Sequence, residues 1–354
     1  MLQNKKITVA MSGGIDSAVA ALLLSDKGAE VSGATMRLCK RITSDGYDAA
    51  NTDIADAKAI CDKLGITHRV YSFEDEFYHA VIKNFIDTYM NGGTPNPCIV
   101  CNKNIKFGLM LDRELENGAD YIATGHYAKI EKNESGRYLI RKADDEKKDQ
   151  TYMLWSLSQH QLSHTLFPLS AYSKTQIREL AEQSGFSIAR KSDSQDICFV
   201  PDGDYASFIE KEIGEKYPSG NYVDKDGKIL GTHKGMIHYT IGQRKGLGIS
   251  MNKHIFVTAK NPVDNTVTLG DECELFSNSV IVRGINLIPF DKLTSGAKFE
   301  AKVRYSQKQS PVYVEQTGED ELTLVFDTPQ RAPAKGQSAV LYDGDYLVGG
   351  GIIV

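Results

Sequence analysis

The chain has 354 residues, 41% of them hydrophobic and 25% charged, which is ordinary for a globular protein of more than one domain. A formal net charge of -5 argues against a globally basic nucleic-acid or membrane binder, while leaving room for local basic patches. Six cysteines in this length do not make a secreted disulfide scaffold, residues 18–24 are too few to cross a bilayer, and residues 1–14 carry no signal-peptide pattern, so a cytoplasmic protein is expected.

"KITVAM" reads as a short buried strand, and a helix follows from Ser17. "AEVSGATMRL" is a second strand. "DIADAKAICDKLG" sets Ala57, Ile60, Cys61 and Leu64 at helical spacing, with Gly65 as a stop. "THRVYSF" is a third strand, "EDEFYHAVIKNFIDTYM" and "IKFGLMLDRELENG" are helices, and "ADYIATGHYAKI" is a further strand. Strands interleaved with helices predict an α/β fold with a parallel, doubly wound sheet. "SKTQIRELAEQSG" is a capped helix, with Ser173 and Gln176 in a capping-box pattern and Gly185 at its end.

The character then changes. "NYVDKDGKILG" is a hairpin turning at Asp226-Gly227. From about His254 the sequence alternates at period two, which predicts short strands in a small β-barrel or sandwich. The expected layout is an α/β domain over residues 1–203, a small mixed α+β domain over 204–275 and a β-barrel over 276–354.

The turn between the first strand and its helix is Ser12-Gly13-Gly14-Ile15-Asp16-Ser17. Glycines there bring backbone N–H groups to a helix N-terminus, where they cradle phosphate. Ser12 and Ser17 add hydroxyls, and Asp16 suits Mg²⁺ better than bare phosphate. The Lys-Ser/Thr pair of the common P-loop is missing. Glycine and serine in such a turn are unremarkable singly, but together with the aspartate they favour a nucleotide. The loop resembles the pyrophosphate loop of N-type ATP pyrophosphatases, which split ATP between the α- and β-phosphates.

Three cysteines stand apart. Cys98 and Cys101 lie in "NPCIVCNKNIKFG" and Cys198 in "SDSQDICFV", whereas Cys39, Cys61 and Cys273 have a buried structural thiol as their default. "NKNIKF" reads as a helix start with Asn102 as cap, which would place Cys101 at a helix N-terminus beside Lys103 and Lys106 and lower its pKa. The acidic stretch ahead of Cys198 would not lower that thiol's pKa. A redox C-x-x-C, half a zinc site, or paired sulfur chemistry on an ATP-activated substrate all remain open on the residues alone.

The whole chain resembles the tRNA-specific 2-thiouridylases, from "SGGIDSAVAALLL" through "NPCIVCNKNIKFG", "ATGHYAK", "KDQTYML", "DICF" and "HYTIGQRKGLGI" to "GQSAVLYDGDYLVGGGII". The resemblance implies adenylation of the C2 oxygen of a wobble uridine in tRNA, then sulfur transfer, giving 2-thiouridine, AMP and pyrophosphate. It places ATP on Ala10, Met11, Ser12, Gly13, Gly14, Ile15, Asp16 and Ser17, with Met36 and Gly125 against the same nucleotide. A side chain at Gly125 would keep backbone from ligand. It makes Cys198 the persulfide carrier and Cys101 the thiol that completes release, by a disulfide with Cys198 or by freeing hydrosulfide.

It further implies that Asn96, Pro97 and Cys98 surround a target base lifted from its stack. His126, Lys148, Asp149, Gln150, Arg304, Tyr305 and Gln337 would contact other parts of the tRNA. Singly, each reads as a solvated surface residue. The basic clusters "KNIK", "RKADDEKKDQ", "GQRKG" and "KVRYSQK" fit an RNA footprint whose affinity falls with salt. A sulfur-carrier protein or a cysteine desulfurase would be the donor, and no membrane is involved.

One position departs from the family. Many members carry Asp where this chain has Cys98, and a neutral thiol is a poor base and a weak hydrogen-bond partner. Three thiols, Cys98, Cys101 and Cys198, could instead ligate a 4Fe–4S cluster whose free iron carries sulfur. The rival functions are another pyrophosphate-loop ligase, such as an amide-forming synthetase or a different tRNA thiolase, and a tRNA-binding module without catalysis.

Overall fold

In the computed structural model, residues 2–41, 47–190, 197–249, 253–293 and 296–354 are described. The chain forms two units: residues 1–81, 98–195 and 344–348 make the first, and residues 82–97, 196–343 and 349–354 the second.

The first unit is built on strands β1 (Lys6–Ala10), β2 (Glu30–Arg37), β3 (Thr67–Ser72) and β4 (Tyr121–Ala123). A hairpin of β5 (Ala128–Lys132) and β6 (Tyr138–Lys142) follows, and then β7 (Thr165–Leu166). The sheet runs β3-β2-β1-β4-β7, and every pairing in it is parallel. This meets the expected parallel α/β sheet. The stretch "ADYIATGHYAKI" is two strands rather than one, because the chain leaves the parallel sheet after Ala123 and enters the hairpin at Ala128.

Helix α1 (Ile15–Asp26) buries Ile15, Val19, Leu23 and Leu24 together with four small residues, as a connection packed on a sheet requires. Helix α2 (Ala49–Leu64) is capped by the Asp48 carboxylate and ends at Gly65, whose φ of 67° only glycine adopts freely. Cys61 is fully buried, as expected of a core thiol, whereas Cys273 is exposed and does not follow the buried default. A buried carboxylate, Glu114, ties the sheet to its helix: it accepts hydrogen bonds from the Thr8 hydroxyl at 2.6 Å and the Tyr71 hydroxyl at 2.5 Å. Arg69 supplies its counter-charge at 3.3 Å. A buried charge so paired and hydrogen-bonded is one the interior tolerates.

Residues 97–116 are helical without a break. They are α-helical at Pro97–Cys101 and Met110–Glu116, and π-helical at Asn102–Leu109.

The second unit holds helices at Lys83–Met90 and Tyr205–Ile213, the latter capped by Asp204. Tyr89 stacks on Tyr205 with centroids 4.8 Å apart, and Phe199 meets Phe85 edge-on at 5.2 Å. The mixed sheet is β8 (Gly220–Val223), β9 (Ile229–His233), β10 (Phe256–Asn261) and β11 (Thr266–Gly270), in the order β10-β11-β8-β9. The expected hairpin is β8–β9, with Gly227 at a φ of 83° in its turn.

Six strands then close a barrel: β12 (Phe276–Leu287), β13 (Ala297–Lys302), β14 (Ser310–Gly318), β15 (Glu321–Arg331), β16 (Ser338–Asp343) and β17 (Tyr346–Ile353). They run β12-β15-β14-β13-β16-β17, and β12 pairs with β17 to shut the ring. Val312 and Val314 of β14 and Leu322, Leu324 and Phe326 of β15 fill its interior, which explains the period-two pattern.

Candidate active site

In the first unit β1 lies between β2, reached through α1, and β4. Strand order reverses there, and open parallel sheets bind ligands outside the carboxyl ends of such strands. Both glycine-bearing turns meet at that place. Gly14 is the N-cap of α1, and no side chain caps it, so the first-turn N–H groups are offered to an anion. Gly13 has a φ of 68°, and a Cβ on it would stand 2.5 Å from the Asp53 carbonyl oxygen of α2. The Ser17 hydroxyl accepts from the Ser12 N–H at 3.2 Å and donates to the Gly14 carbonyl at 3.0 Å, which sets the loop's curl. Thr35 donates to the Met11 carbonyl at 2.9 Å, and Met36 stands half-buried next along β2.

Gly125 has a structural reason to be glycine besides the one expected. A Cβ there would lie 2.7 Å from the Asp16 Cβ and 2.9 Å from the Ser17 nitrogen, so a side chain would strike the phosphate loop itself.

The sequence reading missed a lysine. Lys174 Nζ lies 2.8 Å from both Asp16 oxygens, and the Tyr127 hydroxyl donates to Asp16 Oδ1 at 2.8 Å. The Lys174 side chain is only 11% exposed. Its position is fixed locally: it opens a helix whose Ser173–Gln176 capping box is complete, and its own N–H donates to Asp145 at 3.1 Å. Such a cap contributes about 1 kcal/mol. The loop thus has a cation beside it, brought from 158 residues away. The capping box was legible in sequence, but the direction of Lys174 was not.

The thiols also differ from expectation. The helix that carries Cys101 starts at Pro97, with Asn96 before it, so Cys101 lies a full turn inside. Asparagine followed by proline is a helix-start signal, and it marks the true beginning. Asn102 is therefore no cap. It is buried, its amide donates to the Met153 carbonyl at 3.0 Å, and its Oδ1 accepts from Lys106 Nζ at 3.1 Å. Burial pushes the Cys101 thiol up to about 11, against the Lys106 ammonium, with the Cys98 and Cys39 thiols adding to the rise. Cys98, though exposed, is also held above the ordinary thiol range by desolvation, with Lys106 again opposing. Burial raises Cys39 to about 11 as well.

Resting Cys101 is thus a protonated thiol at neutral pH. In the free protein, iodoacetamide should alkylate it slowly at pH 7 and roughly tenfold faster per pH unit towards pH 9, as the thiolate fraction grows. Timed peptide mass spectrometry reads this, and fast, pH-independent alkylation would reveal an acidic thiol.

Cys198 belongs to the second unit. It is exposed, in a turn where the Val200 N–H donates to the Ile197 carbonyl at 2.8 Å and Phe199 is buried. The acidic stretch ahead of it, residues 191–196, lies outside the described residues. Among the described residues no group of three or more His, Cys, Asp or Glu is disposed to hold a metal ion. The 4Fe–4S reading of Cys98, Cys101 and Cys198 therefore finds no support.

Several residues expected to face RNA have internal partners. Burial holds the His126 pKa well below the usual histidine value, with the Lys106 ammonium adding to this. The neutral ring lies between Phe107 and Phe167, with Nδ1 2.7 Å from the Thr124 hydroxyl. Asp149 is buried and accepts from the Thr151 hydroxyl at 2.8 Å, while Gln150 Oε1 accepts from the Tyr127 N–H at 2.9 Å. Lys148, just before them, closes a short 3₁₀ turn. Arg304 donates to the Ile241 and Ala332 carbonyls at 3.0 and 2.6 Å, and Tyr305 beside it is exposed. The "GQRKG" cluster lines a concavity of about 600 Å³ with Gln243, Arg244, Lys245, His254, Glu272 and Arg331 around it.

A parallel sheet with an uncapped glycine turn at its switch point defines a nucleotide-binding α/β domain. The family models agree: residues 5–202 match a tRNA methyl transferase HUP domain, 206–271 a tRNA methyl transferase PRC-barrel domain, and 277–353 an aminomethyltransferase beta-barrel domain. The tRNA-specific 2-thiouridylase MnmA of Clostridioides difficile (strain 630) is 48% identical over 357 residues, covering 100% of this chain and 99% of that one. The protein of the same name from Clostridium acetobutylicum is 48% identical over 354 residues, covering 99% of each. The chain belongs to the tRNA-specific 2-thiouridylase family. Among solved structures, a 4-thiouridine synthetase–RNA complex with bound ATP overlaps 59% of this chain and 50% of its own, at 19% identity and a TM-score of 0.39.

Among the described residues no helix is long and apolar enough to cross a membrane.

Proposed function

We propose that this chain is a cytoplasmic tRNA 2-thiouridine synthase. The observation that carries the reading is the phosphate loop at the switch point, on the same unit as the Cys98–Cys101 helix. ATP would lie with its β- and γ-phosphates on the N–H groups of residues 12–17 and its nucleoside towards Met36. Mg²⁺ bound with the nucleotide would neutralise the leaving pyrophosphate, and Asp16 is the loop's carboxylate that would serve it. Lys174 supplies the positive charge that the P-loop lysine provides elsewhere.

The uridine C2 oxygen attacks the α-phosphorus, and the bond to the β-phosphate oxygen breaks to release pyrophosphate. The terminal sulfur of a Cys198 persulfide then attacks C2. Cys101 gives up its thiol proton to solvent and its sulfur attacks Cys198 Sγ, the S–S bond breaks and its electron pair stays with the sulfur now on C2. The C2–O bond breaks last, and AMP leaves. A thiol reductant resolves the Cys101–Cys198 disulfide; in the other route Cys101 frees hydrosulfide, which attacks C2 itself.

Asn96, Pro97 and Cys98 would flank the extruded base. Tyr305 and the "GQRKG" concavity would meet RNA backbone, and the persulfide would come from a sulfur-carrier protein or a cysteine desulfurase. We further propose functional segments at residues 1–203, 204–275 and 276–354.

The test is nucleoside mass spectrometry of tRNA incubated with the protein, ATP, Mg²⁺ and a persulfide donor. The expected product is 2-thiouridine, with one pyrophosphate released per thiolation. ATP cleavage with an amidated or unmodified tRNA would overturn the reading.

A further inference from the structure

We infer that Lys260 and Gln337 are positioning residues that, with the Lys335 carbonyl, clamp the loop of residues 91–97 and so fix where Asn96 and Pro97 stand. The importance of that placement rests on the proposed role of these two residues beside the target base.

The loop reads Asn91-Gly92-Gly93-Thr94-Pro95-Asn96-Pro97. Two prolines remove two backbone donors, and two glycines make the free chain loose. Its carbonyls must find donors elsewhere. Three successive ones do. Lys260 Nζ donates to the Gly93 carbonyl at 3.2 Å, and Gln337 Nε2 donates to the Thr94 and Pro95 carbonyls at 3.0 and 3.3 Å. The donors lie 167 and more than 240 residues further along the chain, on β10 and ahead of β16. The Thr94 N–H completes the clamp by donating to the Lys335 carbonyl at 2.7 Å.

The jaws are themselves fixed. Lys260 Nζ also donates to the Tyr239 carbonyl at 3.0 Å and lies 5.7 Å from the Tyr89 ring centroid. Burial lowers its pKa to about 8. A methionine would pack there without that desolvation cost, so what the lysine adds is its hydrogen bonds. The barrel jaw is tied to the end of β17, where Gly336 N–H donates to the Ile353 carbonyl at 2.9 Å and Ile353 N–H to the Gln337 carbonyl at 2.8 Å. There is no slack. A Cβ on Gly336 would lie 3.1 Å from the Thr94 carbonyl oxygen, and one on Gly93 3.1 Å from that of Lys335. Gln337 thereby has a task its expected RNA contact does not explain: its amide nitrogen holds the loop.

The test uses the full chain with Gln337→Ala and, separately, Lys260→Met. Hydrogen exchange of the peptide covering residues 91–96 should quicken about tenfold in each as the clamp opens. Single-turnover pyrophosphate release at saturating tRNA should fall about tenfold, with tRNA affinity changed less than about twofold, because positioning is lost and binding is not. A raised Kd with unchanged exchange would make Gln337 a direct RNA contact and overturn the clamp. A lowered melting temperature with unchanged turnover per folded molecule would make both residues merely structural and also overturn it. Should Gln337→Ala not fold, Lys260→Met carries the same readouts. Hydrogen exchange needs no tRNA, so a clamp that opens as expected in a protein that does not thiolate tRNA would refute the functional reading alone.

Discussion

Cys198→Ser should abolish 2-thiouridine formation, a loss beyond about a thousandfold, because a serine oxygen cannot carry the transferable sulfur. Pyrophosphate should still be released in a single turnover, since adenylation precedes sulfur transfer in the proposed sequence. Cys101→Ser should also stop thiolation, but a persulfide donor should leave its sulfur on Cys198, where intact-mass analysis would find an added 32 Da. An amide-forming ligase on this fold would keep full activity in both variants, and that result would remove the sulfur chemistry. Cys98→Asp is the informative companion. It installs the residue that the family resemblance implies at this position, and faster adenylation than wild type would show that the exposed thiol is a compromise beside the proposed target base.

The second large effect is at Lys174. Lys174→Met should lower pyrophosphate release by about a hundredfold or more, the scale of losing one preorganised charge on a developing anion. The counter-reading is that Lys174 only neutralises Asp16, from whose oxygens it stands 2.8 Å. A double-mutant cycle separates the two. If the ammonium serves the phosphates, Asp16→Asn does not rescue Lys174→Met. If it serves only Asp16, the double variant recovers most of the lost rate. Pyrophosphate release at saturating ATP, with thermal melting to check the fold, measures both.

What was legible in the sequence was local. The loop from Ser12 to Ser17, the Ser173–Gln176 cap, the Asp226-Gly227 turn and the period-two strands are each set by residues within a few positions of one another. They stand where expected. The site's distant members were not legible, because no local pattern says where a long side chain points. Lys174 looked like any helix-opening lysine. The Gln337 amide is drawn inward by carbonyls more than 240 residues earlier in the chain. The misread start of the Cys101 helix was avoidable. Pro97 announced it, but the richer "NKNIKF" run drew the boundary six residues too late; the expected acidity of the thiol was reversed by its burial, which no local pattern shows.

The wide coil over Asn102–Leu109 bears on that acidity too. Narrow helical winding turns residues five apart towards different sides, whereas rings closed between i and i+5 bring them into line. Lys106 comes five positions after Cys101, and its charge is felt at both Cys101 and Cys98. Excising one residue between 102 and 105 would make Lys106 the fourth residue after Cys101, and tighter α-helical winding would keep it on the same face, so the thiols should ionise about as readily as before. The wide coil thus gives a lysine five positions on the place beside the sulfur that ordinary winding gives to the fourth.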